Sequence, residues 1–239
     1  MDRRWTLLLM LFLCSFYLSA GTVAQDVSTP ALDPSGVEAC DAADVTRLFN
    51  ESEASACEVR TYVFAASDTL ALHQDRYDSV TVTAWDQPNA EVTMTVVARR
   101  EAIDDAQTDL SQIRLRTDAG TLQTTGPRED APGWWSVKYV LRVPEKTTLD
   151  VRSENAGIAV REVAGGHRIA SKNGSITFTM PKNVGADLQI ETKNGDVDFG
   201  FPVMIQGSTG GEIRTTVGDG GPGVRLTSTN GDVTVERAE

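Results

Sequence analysis

Three aspartates near the C-terminus are the residues best suited to chemistry. Asp196 and Asp232 each follow an Asn-Gly pair, and Asp198 lies two positions after the first of them. Carboxylates stacked on one edge could bind Ca²⁺, a hard cation that takes about six or more oxygen ligands. The alternative is that each is a solvated turn residue, because no Asp-x-Asp-x-Asp-Gly loop occurs in the sequence. We therefore expect no metal centre and keep these three as weak candidates.

Two carboxylates could also cleave a glycosidic bond, one as the acid and the other as the base or nucleophile. The groups available for this are the same aspartates with Lys172 and Lys193, all near turns rather than in an obvious cleft. No Gly-x-Ser-x-Gly motif supplies a nucleophile that His73 or His167 could activate. The sequence therefore predicts no enzyme and no cofactor.

Three tryptophans are candidates for contact with a ligand. Trp85, Trp134 and Trp135 could stack on sugar rings, because an indole offers a large apolar face. Trp134 and Trp135 are adjacent in a strand-like run and must point to opposite faces, which leaves one of them free to be exposed. The alternative is that the tryptophans cover the terminal rung of a repeat structure.

These residues accompany a pattern that recurs in the C-terminal third. Each copy is a short strand, an Asn-Gly or Asn-Ala-Gly turn and a second short strand, and the copies are residues 151–160, 169–178, 190–199 and 226–235. When the copies are aligned on the turn, apolar residues recur on one face with a period of two. A Ser or Thr always occupies the last position of that face before the turn. Recurrence at this spacing indicates a solenoid.

The turns are compatible with two architectures. Asn-Gly between alternating residues is a strong hairpin signal, since a type I′ turn needs positive φ at both positions. A β-arc that joins two sheets satisfies the same alternation, and similar residue sizes within each aligned column favour rungs stacked about 4.8 Å apart. We therefore predict an all-β, single-domain β-solenoid, parallel β-helix-like with irregular rungs. An antiparallel sandwich or meander is the alternative.

The turn residues themselves are interpreted as structural. Asn and Gly tolerate left-handed backbone geometry, which penalises residues with an ordinary side chain. The residues expected to supply this geometry are Asn155, Gly157, Asn173, Gly174, Asn194, Gly195, Asn230 and Gly231.

The chain before and between these copies also contains strand-like runs. Residues 80–84 and 91–98 alternate on either side of a Pro/Asn turn and predict a strand pair. Residues 101–111 predict a helix, and residues 113–125 predict a degenerate copy of the repeat. Residues 213–218 are interpreted as a rung that has lost its turn.

Residues 1–24 predict a secretory signal peptide. They combine a basic start, an apolar run from Trp5 to Ala20 and small residues at Thr22 and Ala24, so cleavage is expected after Ala24. An uncleaved anchor is the rival interpretation, but this run is short against the ~20 residues that a spanning helix needs. No second apolar run follows, so we predict an exported protein, periplasmic or extracellular, with no transmembrane segment after cleavage.

Cys40 and Cys57 are the cysteines that remain after signal cleavage. In an oxidising compartment such a pair predicts a disulfide, worth roughly 3 kcal/mol in the chain-entropy model. No histidine lies near enough in sequence to complete a zinc site. Residues 25–61 are accordingly interpreted as a flexible leader and a disulfide-linked cap, and residues 62–239 as the solenoid domain.

The charge balance bounds the class of partner. The full chain has 22 Lys and Arg against 34 Asp and Glu, a net charge of −12. Signal cleavage removes Asp2, Arg3 and Arg4, which leaves 20 against 33 and a net charge of −13. Nucleic-acid binding depends heavily on phosphate neutralisation by Lys and Arg, so nucleic acid is not the expected partner. We expect a protein or glycan of the cell envelope or exterior.

The order of the motifs resembles the bacterial putative-adhesin domain family, a domain of unknown function built as a β-solenoid. The motifs are VTVTAWDQP at 80–88, VLRVP at 140–144, LDVRSENAGIAV at 149–160, SKNGSITF at 171–178 and TKNGDVDF at 192–199. The resemblance covers about residues 62–237, and the Asn-Ala-Gly at 155–157 is interpreted as an insertion into the simplest repeat. It implies an exported, non-catalytic β-rich domain and supplies no functional residues.

These observations favour a surface-structural, adhesive or protein- and glycan-interaction role. Parallel β-helices also host glycan lyases and hydrolases. The alternative function is therefore a polysaccharide-acting enzyme or carbohydrate-binding protein of the β-helix type.

Overall fold

The structure is a computed structural model, and it describes residues 31–40, 54–74, 77–128, 133–209 and 211–239. The predicted signal peptide and the first residues of the predicted leader lie outside these ranges. The described residues form strands and one helix, α1 (Ile103–Gln112), which confirms the predicted helix. The strands are β1 (Gly36–Ala39), β2 (Ala54–Ala65), β3 (Thr69–Gln74), β4 (Tyr77–Trp85), β5 (Asn89–Arg100), β6 (Arg114–Asp118), β7 (Thr121–Thr125), β8 (Trp134–Pro144), β9 (Thr148–Ser153), β10 (Gly157–Arg161), β11 (His167–Ser171), β12 (Ile176–Met180), β13 (Ala186–Asn194), β14 (Val197–Phe199), β15 (Gly207–Thr209), β16 (Glu212–Val217), β17 (Gly223–Asn230) and β18 (Val233–Arg237).

The strands build two nine-stranded sheets. Sheet I has the order β1-β2-β5-β8-β4-β10-β12-β18-β14, and sheet II has the order β15-β16-β13-β17-β11-β9-β3-β7-β6. Both sheets mix parallel and antiparallel pairs, and neither closes on itself. The chain is therefore mostly β, as predicted, whereas a solenoid is not confirmed.

The chain crosses from sheet II to sheet I at each Asn-containing turn, so these turns are β-arcs and not hairpins. The strands on both sides of the arc are in register with their neighbours. On sheet I, Ile176 pairs with Ile158 and with Val233. On sheet II, Ile169 pairs with Val151 and Leu226. The columns aligned from sequence are therefore adjacent in space.

The arcs are not stacked in chain order. The last copy, β17–β18, lies between β11–β12 and β13–β14. The outer edge of β13 is occupied instead by β16, which runs antiparallel to it. The predicted lost-turn rung at 213–218 is therefore wrong. Gly218 and Gly220, both with positive φ, follow β16, where the chain turns back towards β17.

Two predictions for the first half of the chain are also wrong. β4 and β5 do not pair with each other, because β8 lies between them, parallel to β4 and antiparallel to β5. β6 and β7 form an antiparallel hairpin within sheet II rather than a degenerate arc. That hairpin does use left-handed turn residues, since Ala119 and Gly120 have φ of 45° and 82°.

The inward-facing apolar residues of both sheets form one core. Helix α1 contributes Ala106 and Leu110 to it, and the Arg100 guanidinium binds the Asp109 carboxylate at 2.6 Å. Strand β2 pairs with β5 along its whole length and so runs without a break through residue 61, the expected domain boundary. The Cys40–Cys57 disulfide is present and joins the residue after β1 to β2, with 5.7 Å between the two Cα atoms.

Arg60 is a buried cation that caps the helix. Only 5% of the residue is exposed, and it points inward from β2 towards the C-terminal end of α1. Its Nη1 donates to the Ile113 carbonyl at 2.6 Å, and its Nη2 donates to the Leu110 carbonyl at 2.8 Å. The guanidinium also pairs with Glu58 at 2.7 Å. These bonds place a cation at the negative end of the helix dipole and add a charged donor to each of the two carbonyls.

We expect Arg60→Met to lower the free energy of unfolding by about 3 kcal/mol, because two buried carbonyls and a carboxylate lose a charged partner. Urea denaturation followed by circular dichroism measures the loss. Arg161→Met, an exposed arginine of β10, is the matched control and should change stability by less than about 0.5 kcal/mol. Equal effects of the two substitutions would refute the capping role of Arg60.

Candidate functional site

The turn asparagines form a hydrogen-bonded ladder along one edge of the molecule. The Asn173 amide nitrogen donates to the Asn155 oxygen at 2.9 Å, and the Asn230 nitrogen donates to the Asn173 oxygen at 2.7 Å. The Asn194 nitrogen continues the ladder to the Asn230 oxygen at 2.8 Å. We call this edge the turn ladder. Its order, 155-173-230-194, is the order of the stacked arcs.

Three of the four small hydroxyl residues before the turns bind the neighbouring arc, while the fourth, Ser153, accepts backbone N–H groups of its own turn. The Ser171 hydroxyl donates to the Ala156 carbonyl at 2.9 Å, and the Thr192 hydroxyl donates to the Gly231 carbonyl at 3.0 Å. Ser228 does the same to the Gly174 carbonyl at 3.1 Å. A buried carbonyl without a partner is costly, which explains why each of these positions carries a hydroxyl.

The turn glycines serve a different purpose from the one expected. Left-handed φ is found at none of the eight turn residues expected to supply it, which are Asn155, Gly157, Asn173, Gly174, Asn194, Gly195, Asn230 and Gly231. A Cβ on Gly174 would collide with the Ala156 carbonyl oxygen, and one on Gly231 would lie 2.5 Å from the Gly174 carbonyl oxygen. The prediction of left-handed geometry is wrong here, because these positions need glycine for the close approach of stacked backbones.

The Asn-Ala-Gly turn is not an insertion. Ile158 pairs with Ile176, so Ala156 stands in the column of Gly174, and Gly157 stands in the column of Ser175. Ala156 is fully buried in the core. Gly157 is therefore not the equivalent of the other turn glycines.

Of the two turn aspartates, Asp232 caps the neighbouring turn. The Asp232 carboxylate accepts the backbone N–H of Asp196 at 2.9 Å, and the Ser175 hydroxyl accepts the backbone N–H of Asp232 at 3.3 Å. Asp198 lies on β14, beyond the turn, and is exposed. In the part of the chain that the structure describes, no three His, Cys, Asp or Glu side chains group as metal ligands would.

The tryptophans do not converge. Trp85 pairs with Pro144 at one end of β8, while Trp134 pairs with Arg99 at the other end. The Trp134 ring is on an outer face, 44% exposed, and the Arg99 guanidinium lies 5.8 Å from its centre. Trp135 is buried, and its Nε1 donates to the Pro127 carbonyl at 3.2 Å.

His167 is a buried histidine, only 4% exposed, at the start of β11. Its Nε2 lies 3.0 Å from the Val163 carbonyl oxygen, and its ring meets that of Phe178 edge-on, with 5.5 Å between the ring centres. Its register neighbours, Leu149 and Val224, are apolar and buried. Burial lowers the pKa of the imidazole, because hydrogen bonding to the backbone offsets only part of the lost hydration.

Sequence reasoning missed a row of residues on the outer face of sheet II. Across adjacent strands, Asp150 pairs with Arg168, Arg168 with Arg225, Arg225 with Gln189, and Gln189 with Arg214. The first four lie five positions before the asparagine of their own turn. The same alignment that gave the buried columns would therefore have shown this row.

No protein-family model matches the chain, and no curated protein matches it in sequence. Two solved structures match the chain. One is the crystal structure of a putative cell adhesion protein from Clostridium sporogenes, with a TM-score of 0.50 and 8% identity over 75% of this chain and 100% of that one. This likeness shows the fold alone.

The second is a putative adhesin from Bacteroides fragilis, also 8% identical over 75% of this chain and 97% of that one. Its TM-score is 0.21, and nothing further is drawn from it. The first neighbour supports the resemblance to putative adhesins at the level of fold. Within the described residues, no helix is both long and apolar enough to cross a membrane.

We expect Gly174→Ala to destabilise the protein by about 3 kcal/mol, because the new Cβ forces two stacked turns apart. Thermal unfolding measures the change. Gly157→Ala is the control in the adjacent arc, where a Cβ would lie 3.7 Å from the Ser175 carbonyl oxygen in ordinary contact. It should shift stability by less than about 1 kcal/mol. Similar losses in both variants would contradict the role assigned to close stacking.

The lowered pKa of His167 predicts an acid-sensitive fold. Below the ordinary histidine pKa of about 6.5 the unfolded chain binds a proton that the native imidazole does not. Stability is therefore full above that pH and falls by up to about 1.4 kcal/mol for each further pH unit, until the native pKa is reached. His167→Leu removes this component, so its unfolding free energy should decline less than wild type between pH 7.5 and 5.5. Parallel declines would show that His167 does not couple folding to pH.

Proposed function

We propose that this protein is an exported, non-catalytic module with a surface-structural and adhesive role. The observation that carries the proposal is the turn ladder. The repeated Asn, Ser and Thr side chains and the Asp232 carboxylate bind one another or the neighbouring backbone, so the recurrence of these residues serves the stacking of arcs.

A stack of this kind suits a rigid platform. Each added arc extends both sheets by one strand, as in a solenoid-like framework, and the outer faces are left for contact with other molecules. The fold likeness to a putative cell adhesion protein supports this use. The disulfide is compatible with an oxidising compartment, where such bonds persist.

Export and exposure are tested together on intact source cells. We expect a membrane-impermeant biotin reagent to label the native protein, and the mature chain to have the mass of residues 25–239. A variant that lacks residues 1–24 is the matched control and should be labelled only after lysis. Protection of the wild-type protein until lysis would contradict a surface role.

Adhesion and the absence of catalysis need separate measurements. Beads coated with the mature protein should be retained on cell-envelope and extracellular polysaccharide surfaces more strongly than beads coated with the same protein after reduction and unfolding. The folded protein should release no reducing or unsaturated ends from those polymers. Polymer cleavage would instead establish a polysaccharide-acting enzyme.

A further inference from the structure

A cleft of about 640 Å³ opens on the outer face of sheet II. Arg168 of β11, Arg225 of β17 and Arg214 of β16 line it, with Gln189 of β13 between the last two. Asp187 is the one acidic side chain among the described residues that line the cleft. Three cations against one anion is the reverse of the balance in the chain as a whole, whose net charge is −12.

The arginines lie side by side. Arg168 and Arg225 are register partners on adjacent parallel strands, so their backbones are about 4.8 Å apart. Like charges directly opposite each other across strands destabilise a sheet. An anion bound between them would remove that repulsion. Within the row, the Arg168–Arg225 pair is therefore the one that a bound anion would stabilise.

The cleft arginines are only partly neutralised by the protein. Arg214 Nε donates to Glu212 at 2.9 Å, yet its side chain is 66% exposed. Arg225 and Glu191 are separated by 3.7 Å, and the Arg225 side chain is 46% exposed. Exposed ion pairs of this kind contribute little to stability, so they compete weakly with an incoming ligand.

Arg168 has the least compensation of the three. Its register partner on β9 is Asp150, and both carboxylate oxygens of Asp150 accept hydrogen bonds from Arg152, at 2.9 and 2.7 Å. No carboxylate in the described part of the chain forms an ion pair with Arg168. Its guanidinium is exposed at the cleft and available to an anion from solution.

A glycine keeps the cleft open beside this row. Gly223 lies on the outer face of β17, two positions before Arg225, and a Cβ added there would meet no atom within 4 Å. Across from Gly223, Asp187 accepts the Thr216 hydroxyl at 2.9 Å. The walls of the cleft thus offer hydroxyl and amide groups next to the guanidinium row.

We propose that this cleft binds a carboxylate-bearing acidic polysaccharide. Guanidinium groups match carboxylates in planar, two-bond geometry, and their repetition along a row suits a polymer that repeats its charge. The Gln189 amide N–H and the Thr216 O–H are used within the protein, on Glu212 and Asp187, and the oxygens of both side chains accept hydrogen bonds from sugar hydroxyls. The negative charge of the rest of the protein repels a polyanion, so that attraction is confined to this face.

This inference names the ligand class of the proposed adhesive role. It rests on that role in one respect, because the protein must be outside the cell to meet a polysaccharide. The probe is polygalacturonate, with neutral dextran and poly-L-glutamate as comparison polymers, and binding to the full mature protein is measured by calorimetry at low salt. We expect polygalacturonate to bind at least tenfold more tightly than either. Its affinity should fall as sodium chloride is raised, since salt screens charge attraction.

Two kinds of variant locate the site. Arg168→Gln/Arg225→Gln should weaken polygalacturonate binding at least tenfold, while Arg161→Gln/Arg142→Gln, the same charge change on the outer face of sheet I, should leave it within twofold. Gly223→Phe changes no charge and fills the cleft, so it should also weaken binding at least tenfold. Unfolding curves matching the wild type would show that Gly223→Phe and Arg168→Gln/Arg225→Gln are folded.

The outcomes separate this inference from the proposed function. Wild-type affinity in Arg168→Gln/Arg225→Gln would overturn the assignment of the cleft, and equal affinity for poly-L-glutamate would overturn the ligand class. Bead adhesion that persists in that variant would leave the adhesive role standing without this site. If the protein is shielded inside the cell and still binds polygalacturonate specifically, the cleft assignment stands and the adhesive role falls.

Discussion

The backbone of each turn lies directly against the carbonyl of the turn beside it, and this close approach fixes much of the fold. Because Gly174, Gly231 and Gly195 have no Cβ, the arcs come near enough for the turn asparagines to bind one another. The ladder in turn sets the register. Once the turns are level, Ile158, Ile176, Val233 and Val197 meet in one row of sheet I, and the facing row of sheet II follows. The register of the core strands is thus set by polar contacts at the turns, which lie mostly outside the core.

The close stacking of the turns also distinguishes residues with a structural role from residues that can bind a ligand. The hydroxyls of Ser171, Thr192 and Ser228 and the Asp232 carboxylate bind the neighbouring arc. The outward positions of the strands have no such contact to preserve. On sheet II that freedom has been used to place arginines on neighbouring strands, in a protein with an excess of acids. A position that the fold does not constrain, and that carries an unfavourable charge arrangement, indicates function more strongly than one that recurs for packing reasons.

Alternation and recurrence predicted the local structure well, because both depend on neighbours that the sequence itself identifies. The hydroxyl column of Ser171 and Thr192, the apolar column of Ile176 and the disulfide are all found. The stacking order of the arcs could not be predicted from the sequence. Val233 fits beside Ile176 or Val197 equally well, so the similarity of the aligned columns does not show which arcs are neighbours. For the same reason, alternation gave the buried faces of β4 and β5 but not the strand between them. Arg168 and Arg225 were visible at a fixed distance before their turns, where the other two turns have Asp150 and Gln189. Exposed polar residues do not by themselves distinguish a site from a solvated face.

The displaced last arc has a consequence for how the chain folds. Strand β13 finds its parallel neighbour only in β17, and β11 must leave its own outer edge unpaired until that strand has been made. A growing chain therefore completes its third arc before that arc has its place in the stack. Pairing between strands so far apart in sequence is slow, because the loop between them must close first. The final assembly of this end of the molecule therefore waits until β17 and β18 have been made.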